Sequence, residues 1–160
     1  MQHIADAVKH HDATALEKLF SKAAREKATD LEGGVKRFLS VFPSGFTSWS
    51  DPDGGPGETG DYAYGKRTVL LFGNYVVSAN GKKYDLYFAD YTVNEVDDPD
   101  NVGLYALGVA PYNRDAFINP TASSKAFDAW AGQFGIENHK AIGDPSVYVP
   151  PTTSTAPAGG

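Results

Sequence analysis

Residues 67–93 read RTVLLFGNYVVSANGKKYDLYFADYTV, two runs rich in β-branched and aromatic residues on either side of Asn80-Gly81. Asn-Gly is the pair preferred at the centre of a two-residue type I′ turn, because both central residues must adopt positive φ. The stretch therefore predicts a β-hairpin, and the turn fixes its register. Val77 should face Tyr84, Tyr75 should face Leu86, Gly73 should face Phe88 and Leu71 should face Asp90. Directly opposed residues share a face, so these pairs define one side of the ribbon. Val76 with Asp85, Asn74 with Tyr87 and Phe72 with Ala89 define the other. The first set is the more apolar and is taken as the inner face.

Working outward, VGLYALGVAPY at 102–112 follows the acidic turn DDPDN and reads as a third strand of an antiparallel meander. Upstream the periodicity changes. In DATALEKLFSKAAREKA, residues 12–28, Leu16, Leu19, Phe20 and Ala23 recur at helical spacing and Asp12 is placed to cap the first turn. The preceding IADAVKHH predicts a short helix that breaks near Asp12. Asp30 should cap a further helix with the stripe Leu31, Val35, Phe38, Leu39 and Phe42, ended by Pro43. Near the other end, SSKAFDAWAGQFG at 123–135 places Phe127, Trp130, Ala131 and Phe134 at helical spacing before Gly135. At 160 residues and 41% hydrophobic content, one α+β domain over 1–149 is expected. PPTTSTAPAGG at 150–160 has no large apolar residue and is expected to be a disordered tail.

Charge and composition exclude several functions. Net charge is −6 and no basic cluster concentrates a positive field, which argues against nucleic acid and anionic membranes as partners. Cysteine is absent, removing disulfides, thiolate nucleophiles and cysteine metal ligands. No run approaches the ~20 apolar residues of a membrane span.

The motifs that invite chemistry fail on inspection. GPGETG at 55–60 has dinucleotide-loop glycine spacing, but a strand pattern rather than a helix follows it. Asp51, Asp53, Glu58 and Asp61 around it would repel a phosphate, so it reads as a connection between two strands. A calcium loop from Asp51 would need a polar fifth residue and a twelfth-place glutamate, where Gly55 and Tyr62 stand. His3, His10, His11 and His139 lack metal-ligand spacing and read as solvated, as do Asp97, Asp98 and Asp100 beside Pro99. No metal and no cofactor is expected. No serine lies in a nucleophile-elbow context.

Asp90 is the exception, a carboxylate on the apolar face. Such a group tends to a raised pKa and can act as a base, or it can sit at the strand end and accept hydrogen bonds.

The segments ADAVKHHDATALEKLFSKAA, DLEGGVKRFLSVF, KKYDLYFADYTVNEVDDPDNVGLYALGV and FGI resemble the bacterial domain-of-unknown-function family 5104, many of whose members are described as lipoproteins. The resemblance runs over most of residues 3–137. It implies the cystatin-like α+β roll of the nuclear-transport-factor-2-like superfamily, with helices across the concave face of a strongly curved antiparallel sheet and a cone-shaped pocket beneath them. It implies an extracytoplasmic setting, although neither a leader's apolar core nor a lipidation cysteine is found in the chain. It carries over no catalytic residue. The expected function is a non-catalytic binding module for a small molecule or protein, its site formed by Trp49, Tyr75, Tyr84, Phe88 and Asp90. The alternative is a cofactor-independent enzyme in which Asp90 shuttles a proton while a tyrosine polarises a carbonyl. No histidine falls in a strand to serve as the usual base partner. If Phe72 and Tyr87 are exposed on the outer sheet face, a homodimer is expected there.

Overall fold

Asp12, Ser21 and Asp30 divide the N-terminal quarter into helices in the computed structural model, which describes residues 1–51, 57–96, 99, 101–112, 136–137, 140–141 and 144–150. Helix α1 spans Gln2–Lys9, α2 Ala13–Lys18, α3 Lys22–Lys27 and α4 Leu31–Val41. The break between α1 and α2 falls where His11 takes φ 51°. Asp12 then accepts a hydrogen bond from the Ala15 amide at 2.8 Å, satisfying one of the donors that a helix start leaves free. Asp30 does the same for Gly33 at 3.1 Å.

The single helix expected over 12–28 is instead two, α2 and α3. Ser21 adopts an extended ψ of 156° and its hydroxyl accepts from the Ala24 amide, so it starts a new helix rather than continuing the old one. The interrupting residues are held by long-range pairing. The Leu104 amide donates to the Leu19 carbonyl at 2.8 Å, and the Ser21 amide donates to the Leu104 carbonyl at 2.9 Å. This pairing buries Phe20 completely against the sheet instead of leaving it on a helix stripe.

Strands β1 (Ser48–Ser50), β2 (Gly57–Ala63), β3 (Lys66–Ala79), β4 (Lys82–Asn94) and β5 (Gly103–Pro111) precede the two-residue strands β6 (Ile136–Glu137) and β7 (Lys140–Ala141), and β8 (Ser146–Tyr148) follows. Among the described residues β6 and β7 pair with each other, and the rest form an open six-stranded sheet. β1 and β2 lie in tandem along one edge of β3, and the order continues through β4 and β5 to β8.

The hairpin register is the one read from the sequence: Val77 opposes Tyr84, Tyr75 opposes Leu86, Gly73 opposes Phe88 and Leu71 opposes Asp90. Asn80 and Gly81 take φ of 52° and 72°, as a type I′ turn requires. Tyr64 and Gly65, at 53° and 79°, make a second such turn between β2 and β3.

Two expectations about the sheet need correction. Gly57 to Gly60 of GPGETG belong to strand β2, so four of the six residues of the glycine motif are ladder rather than connection. The sheet is also mixed rather than wholly antiparallel, because β8 pairs parallel with β5. Parallel neighbours need a crossover of a dozen or more residues, which the long interval between Pro111 and Ser146 provides.

One continuous core joins Val8, Leu16, Phe20, Val35, Phe38 and Phe42 of the helical region to Val77, Leu86, Leu107 and Val109 of the sheet. α4 reaches β8 through a glycine contact, where a Cβ on Gly34 would lie 2.8 Å from that of Val147. Register shifts occur at Val69/Leu70 between β3 and β4 and at Ala89/Asp90 between β4 and β5. Both lie away from the Asn80-Gly81 turn, and such bulges increase the local twist. The expected C-terminal helix at 123–135, the acidic residues Asp97, Asp98 and Asp100, His139 and the tail beyond Pro150 lie outside the described residues.

Candidate functional site

Strand register places Tyr75, Tyr84, Phe88 and Asp90 on one face of the sheet. Trp49 joins them, since β1 sets it opposite Val77. That face is covered unevenly. Near the hairpin turn, Val77 and Leu86 are fully buried. There the half-buried Tyr84 meets the Phe42 ring edge-on at 5.3 Å and packs against the core.

Further along, Leu71, Gly73, Tyr75, Phe88 and Asp90 are only half-buried. The Tyr75 and Phe88 rings stack with centroids 5.5 Å apart and planes inclined by 24°. Gly73, opposite Phe88, adds no side chain beside that ring. Trp49 stands at the sheet edge and is 40% exposed. Tyr75, Tyr84, Phe88 and Asp90 are thus all half-buried, with Tyr84 against Phe42 and Tyr75 against Phe88.

Asp90 sits at the register shift between β4 and β5, where Tyr105 is the extra residue of β5 between the partners of Ala89 and Asp90. Among the described residues nothing hydrogen-bonds its carboxylate. Burial pushes its pKa above the ordinary 3.8, and the Met1 α-ammonium partly opposes the rise. Burial likewise raises the Tyr75 hydroxyl, helped by the negative charge of Asp51.

The raised pKa of Asp90 has a consequence for stability. The native state holds this proton more tightly than the unfolded chain does, so Asp90 favours folding at low pH. That contribution declines as pH rises from 3.8 through the raised native value. Asp90→Asn is therefore expected to raise the melting temperature at pH 7 and to leave it nearly unchanged at pH 3. A melting temperature at pH 7 equal to or below that of the wild type would mean that the carboxylate is well solvated or bonded.

The opposite face holds what alternation alone conceals. Asp85, assigned to the outer side, is only 2% exposed and accepts a hydrogen bond from the Asn74 amide at 3.2 Å. Ala89 is buried beside them, Tyr87 is half-buried and Phe72 is 36% exposed. The apolar types of Val76 and Ala89 are the one sequence signal that this side is covered. Elsewhere, burial raises the Tyr105 hydroxyl, with Tyr91 and Asp144 adding to the effect. Among the described residues, no group of three or more His, Asp or Glu side chains is arranged to hold a metal ion, and no helix is long and apolar enough to cross a membrane.

Residues 3–113, from α1 through β5, match the model of a family described as Domain of unknown function (DUF5104). β8, which extends the sheet past β5, lies beyond the matched segment. No curated protein and no solved structure matches the chain.

Proposed function

The chain belongs to this family of unknown function, and from that premise we propose a non-catalytic binding module whose partly uncovered aromatic sheet face receives a small molecule or protein partner. The observation that carries the reading is the Tyr75–Phe88 stack beside a half-buried Asp90 that has no polar partner among the described residues. Half-covered aromatic surface gains free energy when a ligand removes it from water, and a few polar groups then set orientation. In this reading the α+β sheet is a roll of the nuclear-transport-factor-2-like kind, and the run from Leu71 to Tyr75 lines the mouth of its cone. The native setting is extracytoplasmic.

The enzymatic alternative asks more of the site. Proton transfer through Asp90 needs a second polar group within hydrogen-bond reach to stabilise developing charge. Among the described residues no tyrosine hydroxyl bonds to Asp90, which favours the binder. A homodimer through the outer face rests on Phe72 and Tyr87 alone, flanked by the buried Asn74 and Asp85.

The test is a two-dimensional NMR screen of the full chain against a mixture of small aromatic and aliphatic fragments. Shifts concentrated at Leu71, Gly73, Tyr75, Phe88 and Asp90 are the expected result. Shifts scattered over the surface, or none, would sink the proposal.

A further inference from the structure

We infer that the ligand of this face carries an organic cation, an alkylammonium or quaternary ammonium group, seated on the Tyr75–Phe88 stack between Asp51 and Asp90. The inference rests on the binding reading above and narrows it to a chemical class. Two carboxylates bracket the aromatic pair. Asp51 follows directly on β1, whose Ser50 pairs with Val76, and its charge is felt at the Tyr75 hydroxyl. Asp90 lies two residues beyond Phe88 on the same face of β4, about 7 Å further along the strand.

Aromatic faces carry negative quadrupole charge and attract ammonium groups, most strongly where water is partly excluded. A half-buried carboxylate that accepts no hydrogen bond among the described residues adds attraction for a positive ligand and repels a negative one. Gly73, paired with Phe88, places no side chain of its own beside that ring. An anionic or uncharged ligand would leave the Asp90 charge desolvated and unpaired, which is costly.

The experiment compares choline with 3,3-dimethyl-1-butanol, which replaces the quaternary nitrogen by carbon and so keeps the shape without the charge. Binding is followed by NMR shifts on the full chain, and by the fluorescence of Trp49 in a Trp130→Phe background. Choline is expected to bind roughly tenfold more tightly than its neutral analogue. Asp90→Asn, which keeps size and polarity, should remove most of that preference while leaving binding of the neutral analogue in place. Asp51→Asn should reduce it in part. Glu26→Gln, an exposed carboxylate on α3 that is not among the residues of this site, should leave it unchanged, separating a local site from the overall negative charge.

Equal binding of the two probes would overturn the cation assignment while leaving the binding module standing. Binding of neither would also overturn it, and the fragment screen then decides separately whether the face binds anything. Loss of the preference in Glu26→Gln as well would overturn it in favour of diffuse charge attraction.

Discussion

Gly103→Ala is expected to destabilise the protein by about 3–5 kcal/mol, a large share of the ~5–15 kcal/mol available to a typical domain. Gly103 takes φ 122°, a conformation that strains any residue with a Cβ. An added Cβ would also lie 2.6 Å from the Leu19 carbonyl oxygen and 3.0 Å from the Ser21 amide nitrogen. Both atoms are backbone, and both belong to the segment hydrogen-bonded to Leu104, so neither can move without breaking that pairing. The measurement is urea unfolding, in which the midpoint should fall with little change in slope. Gly65→Ala separates strain from clash. Gly65 has φ 79° in a turn with nothing within 4 Å of an added Cβ, so it should cost only about 1–2 kcal/mol. Equal costs at the two sites would show that the Leu19–Ser21 segment yields easily.

Phe42→Ala is expected to cost about 3–5 kcal/mol, because a fully buried aromatic leaves a cavity that its neighbours fill only in part. Phe42 is 0% exposed at the C-terminal end of α4, and its ring meets Phe38, Phe46 and Tyr84 at centroid distances of 5.3, 4.8 and 5.3 Å. These contacts join helix to sheet, so the loss is not confined to α4. A double-mutant cycle of Phe42→Leu with Tyr84→Leu should show a coupling of about 0.5–1.5 kcal/mol. A cost below about 1 kcal/mol for Phe42→Ala would mean that the helices slide to refill the space, and the account of Tyr84 as packed against the core would fail.

What was legible in the sequence was local. Asn80-Gly81 dictated a turn, the turn dictated register, and every predicted β3–β4 pair stands as read. Asp12 and Asp30 marked helix starts because their side chains act on amides three residues away. The split at Leu19–Ser21 was not legible in the same way, since it depends on Leu104, a residue distant in the chain. β8 is too short to show an alternating pattern of its own, and it exists through pairing with Ala106–Gly108. Strand phase could group Trp49, Tyr75, Tyr84, Phe88 and Asp90, because phase is periodic. It could not tell that Tyr84 meets Phe42 while Phe88 stacks on Tyr75, which depends on where α4 lands. Nor could it reveal the burial of Asp85, because alternation assigns faces but not what covers them.

The parallel pairing of β8 has a bearing on how the protein is made. β5 emerges from the ribosome well before Ser146–Tyr148, so Ala106–Gly108 must wait with their outward amides and carbonyls unpaired while the intervening chain is synthesised. At roughly 5–20 residues per second that interval lasts about two to seven seconds, long compared with hairpin formation. During it the nascent sheet offers Ala106–Gly108 as an open edge to neighbouring chains, until the last strand arrives and occupies those three residues.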